Sequence, residues 1–543
     1  MKEMNAMNAA DNQNRNLPAG IQDFEKLREL GYVYVDKTAL VYDLVTRGKI
    51  YFLSRPRRFG KSLLVSTLKY YFEGQRSLFH GLAIDSLEHE WKKYPVFHLD
   101  FNGSSFQDAS ALRDMLTTFV AGKERLYGGN PDAITLGDRF AGVLHAAHEK
   151  TGLRAVVLVD EYDKPILDVL DTGLTMNSGP EGQYVEDSNR ELLKGFYSVF
   201  KKADADLKFV LLTGVTKFAQ VSVFSGFNQP NDISMVSKYD ALCGITTDEL
   251  NTVFADSIAD LAQAMGRTVE ETRKELQRHY DGYHFSSRMT DIYNPFSLLK
   301  AFDNLCIGDY WFQSGTPTYL VRLLNHCNEN LNEMVGEYYD PQQFIDYKAD
   351  IEQPLPMIYQ SGYLTIKDYD SDLGQYKLDL PNDEVAKGFV SLLSADYLRT
   401  KESPITICSQ MVRALKNGDS DRYRDILTAF LASIPYSARR KENERERERY
   451  FQYTIYLIMR LVSVYTVWQE KETSQGRADF VIETEKYIYI IEYKLDRTAE
   501  EALTQIEQMG YALEYANDHR TLYKIGCNIS SKTGTVAGWL CRK

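Results

Sequence analysis

The sequence predicts an α/β protein with more than one domain. Short apolar runs alternate with longer segments of helical spacing in the N-terminal part of the chain, which is typical of strands and helices that build a mainly parallel sheet. A second, smaller set of strands and helices is predicted in the last part of the chain, after a densely charged run. A chain of 543 residues is also too long for one hydrophobic core.

Four apolar runs predict the strands of the first sheet, and three amphipathic segments predict helices between them. The predicted strands are IYFLS (50–54), YPVFHLDF (94–101), AVVLV (155–159) and LKFVLLTG (207–214), and the predicted helices are 107–123, 138–150 and 185–203. The residues before them, 1–18, are polar and rich in Asn and Ala, so we expect a disordered leader.

Helical patterns dominate the middle of the chain. The segment TDELNTVFADSIADLAQAM (247–265) predicts a helix, whereas SGYLTIKDY (361–369) is one of the few strand-like pieces. The charged run KENERERERY (441–450) is typical of a solvated helix start. After it the sequence predicts a helix at 446–463, strands at 464–470, 477–483 and 487–493, a helix at 498–516 and a strand at 521–527.

Charge and cysteine usage exclude several classes of protein. The formal net charge is −13, whereas a protein that coats nucleic acid with its whole surface is usually basic. The six cysteines are scattered without a CxxC pair, which fits a reducing cytoplasm and argues against a zinc or disulfide framework.

The N-terminus lacks the apolar core of a signal peptide, and the most apolar stretch, 453–465, is broken by Arg460. We therefore expect a cytoplasmic protein with no membrane partner.

The segment RPRRFGKS (55–62) lies between a predicted strand and a predicted helix. This is the arrangement of a P-loop, in which backbone N–H groups cradle phosphate oxygens. Gly60 would allow the tight turn, Lys61 would reach the β and γ phosphates, and the Ser62 hydroxyl would ligate Mg²⁺. The first glycine of the usual pattern is replaced by Arg55, so the alternative is a surface turn in which Ser62 only caps a helix.

Two further strand ends favour the nucleotide interpretation. AVVLVDEYDKP (155–165) ends in Asp160 and Glu161, the Walker B arrangement, in which Asp160 would hold Mg²⁺ through its water shell and Glu161 would polarise a water. The alternative is a strand that simply ends in a polar loop. The third strand end carries Thr213, at the place where related ATPases keep a γ-phosphate sensor, or where a plain strand ends.

Together these motifs resemble the bacterial AAA-ATPase-like family over residues 17 to 300 or so. The resemblance rests on FLSRPRRFGKS, VVLVDEYDKPI, LLTGVTKFAQVSVFSGFNQPNDIS, YDGYHF (280–285) and YNPFS (293–297). It implies ATP binding and a sheet with an extra strand between the P-loop and Walker B strands, and it makes Arg55 the family's own variant. Arg57 and Arg58 would add phosphate contacts or contact another part of the protein, and the choice stays open. Many such ATPases take an arginine from a neighbouring subunit, so a homo-oligomer is an expected assembly.

A second group of charged residues lies in QGRADFVIETEKYIYIIEYKLD (475–496). Glu492 and Lys494 are two apart on a predicted strand and therefore share a face, and a short turn near 484–485 would bring Asp479 beside Glu492. Asp479 and Glu492 would share one or two Mg²⁺ ions, and Lys494 would stabilise developing charge or position a water. The alternative is an edge hairpin with a cross-strand salt bridge.

This group resembles the PD-(D/E)XK nuclease superfamily over residues 435–530 or so. In that family the preceding helix also supplies a glutamate, a place that Glu448 fits, and the following helix carries a glutamine, here Gln505, that contacts phosphate or orients Lys494. The resemblance implies a nucleic-acid substrate, for which we expect DNA rather than RNA. The expected metal is Mg²⁺, with Mn²⁺ as the alternative.

The expected fold is therefore a P-loop NTPase sheet with a helical lid and a helical connector, followed by a small PD-(D/E)XK nuclease-like α/β domain. The segments are the leader (1–18), the AAA-ATPase-like P-loop domain (19–238), the lid (239–300), the connector (301–432) and the nuclease-like domain (433–543). The leading hypothesis is an ATP-hydrolysing protein that controls a metal-dependent nuclease. The alternatives are a nucleotide-responsive protein that binds nucleic acid without cutting it, and an ATP-driven protein that remodels a partner.

Overall fold

The computed structural model describes most of the chain in two compact units, Met1–Glu384 and Val385–Lys543. The described residues are 16–108, 110–176, 183–217, 230–314, 334–345, 354–398, 404–433, 454, 467–469, 472–473, 476–477 and 480–543. Within this part of the chain, no helix combines the length and the apolar character that a membrane span requires.

The first unit is built on a five-stranded parallel sheet. Its strands are β1 (Ile50–Ser54), β2 (Val96–Asp100), β3 (Ala155–Asp160), β4 (Leu207–Gly214) and β5 (Asn231–Asp232), in the spatial order β2-β3-β4-β1-β5. All six residues of β3 are buried, as expected for a central strand that is covered on both faces. Strand β4 lies between β1 and β3, which is the extra strand that the family resemblance implied. Because the strands are parallel, their carboxyl ends meet at one edge of the sheet.

Helices connect these strands and cover the sheet. They are α1 (Phe24–Glu29), α2 (Thr38–Arg47), α3 (Lys61–Phe72), α4 (Ala83–Leu87), α5 (Ala111–Tyr127), α6 (Leu136–Thr151), α7 (Lys164–Leu167), α8 (Val185–Tyr197) and α9 (Val199–Lys202). Short 3₁₀ turns lie at Arg76–Phe79, Asp204–Asp206 and Ser237–Leu242. Helix α3 follows the loop 55–60 and packs against β3, so that loop lies at the carboxyl edge of the sheet.

The lid contains four helices around its own apolar cluster. They are α10 (Thr247–Val253), α11 (Ala255–Met265), α12 (Val269–Tyr280) and α13 (Pro295–Asp303), with a small hairpin of β6 (Ile245–Thr246) and β7 (Ile292–Tyr293). Capping boxes at Thr246 and Thr268 begin α10 and α12, and the Asn294 side chain caps α13. Phe254, Leu261 and Leu276 are among the buried residues of the cluster.

The described part of the connector mixes helices with a small antiparallel sheet. Its elements are α14 (Tyr310–Gln313), β8 (Glu337–Tyr339), α15 (Pro341–Ile345), α16 (Leu355–Gln360), β9 (Thr365–Asp370) and β10 (Gln375–Asp379). The strands pair in the order β8-β10-β9. The sequence indicated β9 alone among these strands, because β8 is three residues long and its two Tyr give no clear alternation.

The second unit contains a five-stranded mixed sheet between helices. Its elements are α17 (Asp383–Leu398), which begins at the end of the first unit, α18 (Pro404–Lys416), α19 (Ser420–Ser433), β11 (Val467–Gln469), β12 (Glu472–Thr473), β13 (Gly476–Arg477), β14 (Phe480–Glu483), β15 (Tyr487–Leu495), α20 (Ala499–Gln508), a 3₁₀ turn (Leu513–Tyr515), β16 (Thr521–Ser530) and β17 (Thr535–Arg542). The order is β11-β14-β15-β16-β17, with β15 parallel to β16 and the other neighbours antiparallel.

Helix α20 crosses from β15 to the parallel strand β16 and packs tightly on it. A Cβ atom at Gly526 would lie 2.2 Å from the carbonyl oxygen of Ala499, so only glycine fits at that point of β16. Helices α18 and α19 pack together, and α19 also packs on β17. The sequence had assigned these two helices to the connector.

Candidate functional site

The loop 55–60 has the geometry of a phosphate cradle. Gly60 has a φ of 92°, a left-handed conformation that glycine adopts without strain, and it precedes α3 without supplying a side-chain cap. The first N–H groups of α3 therefore need an outside acceptor. The buried ammonium of Lys61 donates to the carbonyl oxygens of Arg55 (3.0 Å) and Pro56 (3.2 Å), so it lies inside the curve of the loop.

A cavity of about 380 Å³ opens over this loop. Its walls come from the loop, from the ends of β2 and β3, and from the lid and connector. Site residues that line it are Arg57, Arg58, Gly60, Lys61, Ser62 and Glu161. This volume lies within the usual range for ligand pockets.

Asp160 lies at the end of β3 and is held by two neighbours. Its Oδ1 accepts a hydrogen bond from the Thr213 hydroxyl at 2.6 Å, and its Oδ2 accepts one from the Asn102 amide at 3.4 Å. Thr213 is at the end of β4 and Asn102 follows β2, so three adjacent strand ends orient one buried carboxylate. The structure therefore brings Asp160 and Thr213 together, and it adds Asn102, whose only sequence signal was an amide just beyond a strand.

Glu161 follows β3 and lines the cavity. Its φ is 52°, a left-handed conformation that costs a non-glycine residue energy. Burial raises the pKa of the Glu161 carboxyl, and the nearby Lys61 ammonium opposes that shift. A carboxylate with a raised pKa next to a lysine is suited to orient a water and accept its proton.

Arg55 replaces the usual first glycine and is a buried brace. Its guanidinium donates to the carbonyl oxygens of Ser54 (3.0 Å), Ser234 (2.7 Å) and Tyr239 (3.3 Å). It also lies 4.0 Å from the ring centroid of Phe285. Burial lowers the pKa of this arginine from its ordinary value. These contacts tie the start of the loop to the residues beyond β5 and to the lid.

Arg57 and Arg58 differ in their surroundings, although both line the cavity. The exposed Arg58 guanidinium stacks over the Phe296 ring of α13 at 4.7 Å from its centroid. The carbonyl oxygen of Arg57 accepts a hydrogen bond from the indole Nε1 of Trp311 at 3.0 Å. Each of the two loop residues therefore contacts a part of the chain that lies far away in sequence.

Asp163 is a buried carboxylate that the sequence analysis did not single out. Its Oδ2 accepts hydrogen bonds from the N–H of Val215 (3.0 Å) and from both the N–H (2.6 Å) and the hydroxyl (2.8 Å) of Thr216. Burial raises the pKa of Asp163, and the hydrogen bonds from Thr216 only partly oppose that shift. Asp163 thus fixes the loop after Thr213. In the sequence it is the third acid of DEYDKP and directly precedes a helix that begins with Lys-Pro.

A smaller apolar cavity of about 100 Å³ adjoins the loop at Gly60. It lies between α3, the lid and the segment that precedes α2. Residues that line it include Val33, Tyr34, Leu63, Ile245 and Phe254. The sequence did not predict this cavity, because its walls come from three separate segments.

In the second unit, three predicted side chains meet on β15 and α20. Lys494 Nζ donates to Glu492 Oε1 at 3.0 Å and to Gln505 Oε1 at 2.6 Å. Glu492 is buried and Lys494 keeps 21% of its side chain exposed. The lysine thus lies between the acid and the glutamine, within hydrogen-bonding distance of both.

Asp479 and Glu448, which complete the predicted acidic set, lie outside the described residues. Strand β14 begins at the next residue, Phe480, which pairs with Ile491 across the antiparallel ladder, and Ile491 directly precedes Glu492. Within the described ranges, no group of three or more His, Cys, Asp or Glu side chains is placed to hold a metal ion.

Comparison with known proteins identifies two families along the chain. Residues 18–224 match the model of the family described as predicted AAA-ATPase, and residues 446–539 match that of the PD-(D/E)XK nuclease superfamily. The chain belongs to this class of protein: a predicted AAA-ATPase with a PD-(D/E)XK nuclease superfamily domain in its C-terminal part.

One relative is similar to the chain over nearly its whole length. The uncharacterized protein in the vnfD 5′ region of Azotobacter chroococcum mcd 1 is 34% identical over 531 residues, which cover 97% of this chain and 98% of that protein. The likeness therefore extends through both matched regions.

Proposed function

We propose that the first unit binds and hydrolyses ATP, and that this hydrolysis controls a metal-dependent nuclease in the second unit. The observation that carries the proposal is one cavity lined by Lys61, Ser62 and Glu161, beside an Asp160 that is fixed by Thr213. This is the set of groups that phosphoryl transfer to water requires.

Each residue of the first site has a distinct role in the proposal. Lys61 and the first N–H groups of α3 offset charge on the phosphates. Glu161 orients the attacking water and accepts its proton. Ser62 would ligate Mg²⁺ and Asp160 would hold it through its water shell, and the bound metal would neutralise charge on phosphate oxygens while keeping several of its own waters. Thr213 keeps the Asp160 carboxylate in place.

The smaller cavity is suited to the base of the nucleotide. It adjoins Gly60 and is lined mostly by apolar side chains, among them Leu63 and Phe254. A planar, weakly polar ring gains by leaving water for such a surface. The lid contributes part of this wall, so base binding would engage the lid.

The second site is proposed to cleave phosphodiester bonds of nucleic acid, with DNA rather than RNA as the substrate. Asp479 and Glu492 would hold Mg²⁺ or Mn²⁺, with Glu448 as a third acid. Lys494 offsets the charge that develops on the scissile phosphate, and Gln505 orients Lys494. The metal would lower the pKa of a bound water.

A cytoplasmic location and a homo-oligomeric assembly are part of the proposal. The described residues include five free cysteines, which is consistent with a reducing compartment. An ATPase of this class can complete its site with an arginine from a second copy. Light scattering with and without ATP measures the assembly.

The test measures ATP turnover and cleavage of DNA and RNA, each with Mg²⁺ and with Mn²⁺, in the full chain. We expect Lys61→Ala to abolish ATP turnover and Lys494→Ala to abolish cleavage while ATP turnover continues. Lys532→Ala changes an exposed lysine in the turn between β16 and β17 and serves as the matched control. ATP turnover that survives Lys61→Ala contradicts the ATPase proposal. Metal-dependent binding of nucleic acid without any cleavage favours the binding protein over the nuclease.

A further inference from the structure

Trp311 joins the phosphate loop to the last residue of the first unit. Its indole Nε1 donates to the carbonyl oxygen of Arg57 at 3.0 Å, and its backbone N–H donates to Glu384 Oε1 at 2.7 Å. Both Trp311 and Glu384 are buried. One residue thus links two points that are more than 300 positions apart in the sequence.

The neighbourhood of Trp311 also contacts the loop directly. The Trp311 and Tyr363 rings pack with their centroids 5.2 Å apart, and both rings line the larger cavity. At Gly362, which has a φ of 88°, an added Cβ atom would lie 2.6 Å from the Cβ of Pro56. The connector therefore packs against Pro56 and Arg57 so closely that a shift of either loop residue requires a shift of the connector.

Glu384 lies in the first turn of α17, where the chain leaves the first unit. The two residues before it are also bound: Asp383 pairs with Arg278 Nε at 2.7 Å, and the Asn382 amide donates to the carbonyl oxygen of Asp281 at 2.8 Å. Three consecutive residues thus fix the start of α17 to the lid and to Trp311. The next residue, Val385, begins the second unit.

We propose that Trp311 is a positioning residue that transmits the nucleotide state of the loop to the start of α17. The inference rests on the proposed function, because it assumes that the loop binds phosphates. Lys61 now donates to the carbonyls of Arg55 and Pro56, next to the Arg57 carbonyl that Trp311 holds. Phosphate oxygens compete for the Lys61 ammonium, so binding releases those carbonyls and moves the Arg57 carbonyl with them. Trp311 and Glu384 carry the shift to α17.

Amide hydrogen exchange of residues 383–390 measures this transmission. In the wild-type full chain, a saturating non-hydrolysable ATP analogue with Mg²⁺ is expected to change the exchange rate of these amides several-fold. Trp311→Phe keeps an aromatic ring but removes the N–H donor, and we expect the response to disappear at saturating analogue. Glu384→Ala removes the acceptor without touching the cavity, and we expect nucleotide binding to persist while the response disappears. Glu384→Gln keeps an acceptor oxygen and should restore the response.

Trp91→Phe is the matched control. The Trp91 indole also donates to a backbone carbonyl, that of Glu88, at 3.0 Å, but it does not line the cavity. This variant should respond to the analogue as the wild type does.

Separate measurement of analogue binding distinguishes the ways in which the inference can fail. A wild-type chain that binds the analogue without any change at 383–390 overturns the inference and leaves the ATPase proposal intact. An unchanged response in folded Trp311→Phe or Glu384→Ala overturns it as well. A wild-type chain that binds no nucleotide overturns the proposed function together with this inference. Circular dichroism checks the fold of each variant, and the Glu384 pair decides the matter if Trp311→Phe does not fold.

Discussion

At the residue scale, Arg55 shows why a departure from a motif can be structural. Restoring the usual glycine with Arg55→Gly would remove donors to three backbone carbonyls and leave a cavity beside Phe285. We expect a loss of about 3 kcal/mol or more in the free energy of unfolding, since buried acceptors lose their partners and packing is lost. Chemical denaturation measures it.

The exposed Arg58 provides the control for this prediction. Arg58→Ala removes an equal charge from the same loop and should change stability by less than about 1 kcal/mol. If Arg55→Gly is as stable as the wild type, Arg55 is not a brace. If Arg55→Gly loses nucleotide affinity and keeps its stability, the main role of Arg55 is in nucleotide binding.

Glu161 carries a prediction about pH. Because burial raises the pKa of its carboxyl, the carboxylate form is lost at a higher pH than the ordinary 4.5 as the solution is acidified. We expect kcat for ATP hydrolysis to fall with decreasing pH through a value above 4.5. Glu161→Gln should lower kcat by about 10²–10⁴-fold and keep nucleotide affinity. Steady-state kinetics across pH, with binding measured by calorimetry, test both statements. An acid limb at 4.5 or below contradicts the assignment of Glu161 as the base.

The positions of the candidate side chains were predictable from the sequence where they depend on local spacing. Lys61 follows a loop glycine, Asp160 and Glu161 end an apolar strand, and Glu492 and Lys494 alternate on another. The partners of Arg55 were not predictable, because Ser234 and Tyr239 lie about 180 positions further along the chain. Asn102 and Trp311 were not predictable either, because the groups that they contact also lie far away in the sequence.

At the element scale, the carboxyl group of Asp281, at the C-terminal end of lid helix α12, is a second pH-sensitive group. Asp281 follows this helix and is 2% exposed, and burial raises its pKa from 3.8 to about 6. The folded state therefore binds more protons than the unfolded state between these values, so the free energy of unfolding falls as the pH rises through them. A shift of this size corresponds to a decrease of about 3 kcal/mol at most.

Asp281→Asn should flatten this dependence, because the amide resembles the protonated acid and does not ionise. The measurement is the free energy of unfolding of Asp281→Asn and of the wild type from pH 4 to 7. As the pH rises, the variant should become increasingly more stable than the wild type. The same measurement on Asp256→Asn, at an exposed carboxylate of α11, serves as the control. A constant difference for Asp281→Asn would mean that the group does not titrate in this range.

Elements with strong periodicity were predicted from the sequence, and elements set by tertiary contacts were not. Strands β1 to β4 came from apolar runs, and α20 from its amphipathic spacing. The segment 247–265 was predicted as one helix, but it breaks at Phe254, whose ring stacks on Phe302 with centroids 5.6 Å apart. No Gly or Pro marks that break. Strand β17 was missed because Ala537 and Gly538 weaken its apolar pattern.

At the scale of the whole molecule, the chain forms two compact units, Met1–Glu384 and Val385–Lys543, whose boundary lies inside the predicted connector. Helical periodicity runs through residues 301–432, so the sequence predicts one connector there. In the structure, the described residues of 301–384 belong to the first unit, where Gly362 lies against Pro56 of the phosphate loop, whereas α18 and α19 belong to the second unit. Periodicity reports that a helix has an apolar face and does not report which sheet that face covers.

Two units with separate cores should respond separately to their ligands. A ligand that binds only the folded state stabilises it by RT ln(1 + [L]/Kd), about 2.7 kcal/mol at one hundred times Kd. We therefore expect an ATP analogue with Mg²⁺ to raise one thermal transition of the full chain, and Mn²⁺ alone to raise another. Lys61→Ala should remove the first shift and Glu492→Gln the second, while each leaves the other in place. Scanning calorimetry of the three proteins measures this. A single transition that both ligands raise, and that either substitution affects throughout, would mean that the chain unfolds in one cooperative step and would contradict this prediction.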